Sequence, residues 1–268
     1  RRLRPGVSVF GVPGRGTALR DPAGRLRGVD LPEDTVAALT RWLDGTDPQA
    51  PPGLDDEIGA FAAAGYLHVP QPPRTVTVTV AGTGVAADAV AAALAGPSTR
   101  VRRAGVAELR AALDAGTPLP DAVCAVADGP APAAWTGLDG LPGHGTAWLR
   151  LAVEGRHAIL EPVAAAPGDP GHADVRARRL AAAGSGHPHL HAYWDAAAAT
   201  APGAADMALP AALLAADVRA WATGHLGAPA AGDLVPVALP ARRRLRVVDL
   251  DTAAIADHPL LPVPSSAP

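Results

Sequence analysis

The chain has 268 residues, enough for one large domain or two small ones, and its 23 basic and 26 acidic groups leave a formal charge of −3. That balance offers no electrostatic footprint for nucleic acid; with no long apolar run and no signal-peptide core in view, a cytoplasmic protein without membrane contact is expected. Every basic residue is Arg, so chemistry that needs a lysine is excluded: Schiff bases, P-loop phosphate clamps and the Tyr plus Lys pair of many reductases.

Arg4 to Phe10, Thr17 to Asp21 and Arg25 to Leu31 read as three short strands separated by the Gly-containing turns VPGRG and DPAG. Pro32 to Asp44 reads as a helix, with Pro at its first turn, acids at Glu33 and Asp34, apolar residues at helical spacing, and Gly45 as its stop. A second helix is predicted from about Asp55 to Gly65. It is followed by Tyr66, Leu67 and Val69, and then the Pro-rich VPQPPR reads as a linker between residues 1–70 and 74–268. Beyond it the pattern alternates: a strand at Thr75 to Ala81, the turn GTG, an Ala-rich helix at Val85 to Leu94, and strands at Thr99 to Arg103 and Ala122 to Ala127, as in a βαβ unit. A hairpin (Trp148 to Val153, His157 to Pro162), helices at Ala173 to Ala183 and Pro210 to Thr223, and a strand at Leu245 to Leu250 complete the pattern. Pro259 to Pro268 reads as an irregular tail.

Gly82-Thr83-Gly84 followed by Ala87 fits G-x-G-x-x-A between strand and helix, where backbone N–H groups can cradle a pyrophosphate. The acid that should hold a ribose is missing. Arg102 and Arg103 stand at the end of the second strand instead, so one reading is an NADP-binding reductase and the other a vestigial loop with no cofactor. His187, His189 and His191, with His172 upstream, would on a strand line one face and could bind zinc or copper, but no carboxylate or Cys completes the set, so the segment reads as a polar loop and no metal is expected. The single Cys124 lies in an apolar run and reads as a packed, inert thiol. Arg242 to Arg244 precede a strand and read as charges that keep an edge solvated. Neither a nucleophile elbow nor an acid pair offers a catalytic residue.

RLRPGVSVF (Arg2 to Phe10), RLRGVDLPEDTVAALTRWLDGT (Arg25 to Thr46) and IGAFAAAGYL (Ile58 to Leu67) resemble, in order and spacing, a PqqD-like RiPP recognition element, a winged-helix module that binds leader peptides of ribosomal natural products. DPQAPPGL stands where that family has a middle helix. Residues 74 to 268 resemble the ThiF-like, ubiquitin-activating-type domain of partner proteins of YcaO cyclodehydratases. The resemblance rests on the strand-GTG-helix, PDAVCAVAD (Pro120 to Asp128), ILEPVAAAPG (Ile159 to Gly168) and VVDLDTAAIADHPLLPVP (Val247 to Pro264). Relatives end in paired cysteines and carry a Cys-x-x-Cys upstream. Here Ser-Ser-Ala-Pro and the residues around Gly171 to Asp174 replace them, so the tetracysteine zinc site is absent. The resemblance implies an α/β protein: a winged-helix PqqD-like module followed by a degenerate Rossmann-like ThiF-type domain.

The function implied is non-catalytic. A precursor peptide would add as an antiparallel strand to Arg25, Leu26, Arg27, Gly28, Val29, Asp30 and Leu31, over a groove floored by Ile58, Phe61 and Ala62, and be delivered to a YcaO cyclodehydratase for azoline formation. Gly82 and Gly84 would then be a vestigial nucleotide loop. A homodimer is compatible with the resemblance.

Overall fold

The computed structural model describes residues 1–69, 74–196, 201–226 and 239–264. They divide into two compact units, 1–69 and the described residues from Arg74 onward.

In the first unit, β1 (Arg2–Leu3) pairs antiparallel with β5 (Leu67–His68), while β2 (Ser8–Val12), β3 (Gly16–Arg20) and β4 (Leu26–Val29) form an antiparallel meander in that order. The strand expected at Arg4 to Phe10 begins only at Ser8, and Arg4 to Val7 form a turn between β1 and β2. Gly6 adopts φ +87°, a left-handed turn beside Pro5 that breaks the run and sends β1 to a different partner from β2. Helix α1 (Glu33–Asp44) starts after Pro32, with Glu33 and Asp34 at its positive end, and stops at Gly45, whose N–H donates to the Trp42 carbonyl. It buries Leu39 and Leu43 against Ile58 of α2 (Asp55–Ala63), and Leu3, Trp42, Leu54, Phe61 and Leu67 pack around them. The described part of this unit holds these two helices, with DPQAPPGL running irregularly between them.

The second unit is a Rossmann-like α/β sandwich. Its seven strands are β6 (Val76–Ala81), β7 (Thr99–Ala104), β8 (Ala122–Ala127), β9 (Ala147–Glu154), β10 (His157–Leu160), β11 (Arg244–Asp249) and β12 (Ile255–Pro259), in the order β12-β11-β10-β9-β8-β6-β7. The half β7-β6-β8-β9 is parallel, and the rest is an antiparallel meander. Helix α3 (Val85–Leu94) presents Ala86, Ala87 and Val90 to one face of the sheet, and α7 (Ala208–Ala222) adds Ala211, Leu214, Ala215 and Val218 to the same core. These small side chains let helix and sheet approach closely. The opposite face is covered by Leu109 of α4 (Val106–Asp114) and by 3-10 turns carrying Trp135, Leu138 and Leu141, over Trp148. Neither α4 nor β12 is anticipated from the sequence.

Two further expectations are corrected. HPHLH is neither the expected loop nor a strand but lies on α6 (His187–Ala196), which follows α5 (His172–Ala183), and at 3.6 residues per turn alternate histidines fan around a helix instead of lining one face. Arg242 to Arg244 do not guard an edge, because β12 covers β11. Arg242 and Arg243 clamp the Asp169 carboxylate at 2.8 and 3.0 Å, and Arg244 pairs with Asp217 at 2.6 Å.

Candidate functional site

The first candidate is the outer strand of the three-stranded sheet. The Asp21 N–H donates to the Arg25 carbonyl at 2.9 Å, and β3 pairs with β4 in the register Leu19↔Arg27 and Thr17↔Val29. Backbone groups alternate along a strand, so Arg27 and Val29 turn theirs toward β3. Leu26 and Gly28 therefore turn theirs away, and among the described residues β4 is the sheet's edge.

Beside this edge lies an open groove of about 330 Å³, lined by Leu19, Arg27 to Leu31, Tyr66, the α2 residues Glu57, Ala60 and Phe61, and Ala64 at the end of α2. Glu57, Ala60, Phe61 and Ala64 are spaced i, i+3, i+4, i+7, one stripe of a helix. Phe61 is thus part of the wall, packed edge-to-face on Tyr66 with centroids 6.0 Å apart. Ile58 sits about a hundred degrees further round, only 6% exposed in the core with Leu39 and Leu43, and neither it nor half-buried Ala62 is part of the lining. Sequence reasoning missed Leu19, Glu57, Ala60, Ala64 and Tyr66. The helical stripe holding three of them was legible, but which stripe faces the strand depends on how α2 packs. Arg25, whose N–H donates to Asp21 Oδ1, lies just before β4, and Leu26 points to the opposite face of the sheet from Arg27.

The second candidate is the GTG loop. It follows β6 at the point where the strand order reverses between β7 and β8, the usual place for a ligand in an open α/β sheet. Gly82 and Gly84 take φ +152° and +90°; a Cβ on the first would collide with the Val126 carbonyl oxygen, and one on the second with the Asp128 carboxylate. The start of α3 is already satisfied. Asp128, at the end of β8, accepts hydrogen bonds from the Val85 N–H (3.0 Å) and the Ala86 N–H (2.8 Å), the donors a bound phosphate would use. Arg103 is paired with Asp88 at 2.7 Å, and both arginines line a hollow with Thr77, Thr79, Glu108 and Asp121 that includes no residue of the GTG loop. The two arginines are not brought together over the loop. Cys124 is fully buried in β8, and burial pushes its thiol up to about 12, leaving it protonated and unreactive.

A third cluster escaped the sequence reading. Arg150, on β9 and fully buried, places Nε 2.6 Å from Glu161 Oε2 and donates through Nη2 to the Pro162 (2.6 Å) and Pro170 (3.1 Å) carbonyls. Glu161 Oε1 lies 2.8 Å from His172 Nδ1, and Asp139 accepts from Trp148 Nε1 and from the His172 and Ala173 N–H groups, capping α5. Burial alone would raise the Glu161 carboxyl, but the His172 and Arg150 charges outweigh it and hold it below its usual range. The cluster links β9, the residues just after β10 and the start of α5 internally.

Where the resemblance puts the upstream cysteines, Asp174 accepts the N–H groups of Gly171 (2.9 Å) and Val263 (2.7 Å), and Arg178 donates to the Leu261 (3.2 Å) and Pro262 (3.0 Å) carbonyls; the downstream pair, at residues 265–268, lies outside the described residues. These residues do not fit a zinc ligand set; they tie the C-terminal strap to α5 by hydrogen bonds. Among the described residues no group of three or more His, Cys, Asp or Glu could hold a metal ion, and no helix is long and apolar enough to cross a membrane.

No protein-family model matches the chain, and a search of curated proteins gives no match. Solved structures share its fold. A heterocyclase in complex with substrate and cofactor superposes with a TM-score of 0.67 at 15% identity, over 97% of this chain and 38% of that one. The heterocyclase TruD gives 0.64 at 18% identity, over 98% and 42%. The E. coli microcin synthetase McbBCD complex gives 0.50 at 11% identity, over 99% of this chain and 98% of the matched one. The chain therefore spans about two fifths of the length of the two heterocyclases, 38% and 42%, and nearly all of the matched synthetase chain, 98%. At identities of 11% to 18% these likenesses show a shared fold.

Proposed function

We propose that this chain is a non-catalytic partner in ribosomal-peptide natural product biosynthesis, capturing a precursor peptide on a PqqD-like recognition element and presenting it to a YcaO cyclodehydratase for azoline formation. The carrying observation is the β4 edge: Leu26 and Gly28 turn their backbone donors and acceptors outward beside an apolar groove walled by Leu19, Phe61 and Tyr66. An extended peptide added there gains main-chain hydrogen bonds, while every second side chain enters the groove. The structural relatives support the setting, since one is a heterocyclase with its substrate and another a synthetase complex.

The non-catalytic part of the reading draws on the chain's own residues. It has no Lys, and the Asp128 carboxylate engages the donors of the dinucleotide-type loop. Tethering the precursor beside the partner's active site would raise its local concentration without contributing a reacting group.

The test is fluorescence anisotropy of a labelled leader peptide, from the precursor encoded beside this gene, titrated with wild type and with Gly28→Pro. Proline removes an outward N–H from the edge without touching the β3 ladder. Tight wild-type binding, weakened at least tenfold in a folded Gly28→Pro variant, is expected; no wild-type binding would overturn the reading.

A further inference from the structure

The groove explains how one face of an added strand would be held, but the other face of β4 has a feature it leaves unused. Leu26 is 67% exposed and Phe10 41%, the two large apolar side chains most open to water on this meander. Both lie on the face opposite the groove. Phe10, Ala18 and Gly28 are direct cross-strand partners on β2, β3 and β4, so a shallow trough floored by alanine and glycine runs from Phe10 to the edge, with Leu26 flanking it two residues along β4. A Cβ at Gly28 would meet nothing within 4 Å, so there is room above it. Edge strands usually carry charge or proline where they face water, and an open leucine there favours pairing with another strand.

We propose, resting on the peptide-capture reading above, that the captured peptide is read on both faces, with apolar side chains opposite Leu26 and Gly28 on the outer face as well as apolar contact in the groove. An antiparallel strand added to β4 sets its residues directly opposite those of β4, with side chains on matching sides. The residue opposite Leu26 packs on that leucine. The residue opposite Gly28 has no facing side chain and leans across the glycine toward Ala18 and Phe10, as bulky residues do over edge glycines. The residue between them falls on the groove side beside exposed Arg27, where a carboxylate is favoured, and the one opposite Val29 enters the groove. The ligand class is therefore an extended peptide carrying apolar residues at adjacent positions, one for each face, with an acid among them. A leader read by the groove alone would need apolar residues only at alternate positions.

The experiment is a serine scan of the same labelled leader peptide against wild type, Leu26→Ser and Leu26→Met, all as the full chain, with sedimentation equilibrium of each protein alone. Leu26 is exposed, so both variants fold. Expected are about tenfold weaker binding by Leu26→Ser, near wild-type binding by Leu26→Met, and sensitive positions that include sequence neighbours. Serine at the outward position should cost Leu26→Ser nothing further. Wild-type binding that Leu26→Ser leaves unchanged, or sensitivity confined to alternate positions, would overturn two-faced reading while leaving peptide capture intact. Failure of wild type to bind at all would overturn both. Self-association of the wild type abolished by Leu26→Ser would assign the outer face to a second copy and overturn the proposal.

Discussion

Glu161 shows how far one buried charge can reach. It faces Arg150 and His172 in a region closed to water, so Glu161→Gln removes the nearer countercharge of the guanidinium and leaves it only Asp139, 4.0 Å from Nη1. Breaking a buried pair in this way costs about 3–5 kcal/mol, and urea unfolding of the variant should show a loss of that size. Because its folded carboxyl titrates below the unfolded value of 4.5, its stabilisation is complete above that value and is withdrawn as pH falls through the lower folded one. Asp128→Ala removes two charge-assisted bonds at the start of α3 and should lower stability by about 1–2 kcal/mol in the same assay. These side chains were hard to read from the sequence. In AWLRLAVE the arginine interrupts a strand buried on both faces, and only the β9–β10 hairpin and the start of α5 bring its partners to it. The GTG spacing, by contrast, was legible, because Gly82 and Gly84 need backbone angles that few other residues adopt.

At the level of elements, the direction in which a backbone group points decides what a substitution tests. Val29→Pro would remove an N–H turned toward β3 and unfold the meander itself, whereas Gly28→Pro spares that ladder; circular dichroism melts should show a much lower midpoint for the first and a near-native one for the second. The C-terminal strap gives another case. Arg178→Ala deletes both bonds to the Leu261 and Pro262 carbonyls and should speed hydrogen exchange across residues 260–264 while leaving β11 protected. Strands and helices with strong periodicity were placed within a residue or two, notably Val85–Leu94 and Ala122–Ala127. Those missed have weak patterns: α4 has Val106, Leu109 and Leu113 set among alanines and charges, and β12 reads IADHP, ending in a proline that only an edge tolerates. HPHLH alternates as a strand would, yet Trp194, three residues beyond it, stacks its ring under Arg176 and Arg179 and fixes α6 against α5.

For the molecule as a whole, the two units differ in what holds them together. The first rests on an apolar nucleus of Leu39, Leu43 and Ile58, while the second adds ion pairs at Glu161 and at Asp169. Burial tends to raise the Asp169 carboxyl, but Arg242, the Ala165 N–H, Arg243 and the Ala166 N–H outweigh it and hold it below its ordinary range. Acidification to about pH 3 should therefore unfold the second unit first, seen as a red shift of Trp135 and Trp148 emission before the first unit melts. The strand-GTG-helix opening identified the α/β class; the antiparallel half of the sheet was not legible, because its pairing joins segments far apart in sequence. The carboxylate of Asp128 has one further consequence. A protein with an open ligand site gains stability by mass action as its ligand is added. Here the anion is supplied by the chain itself, at an effective concentration that no solute need match. The melting temperature of this protein should therefore stay fixed when millimolar ATP or NADPH is added, and its folding would be independent of the nucleotide supply around it.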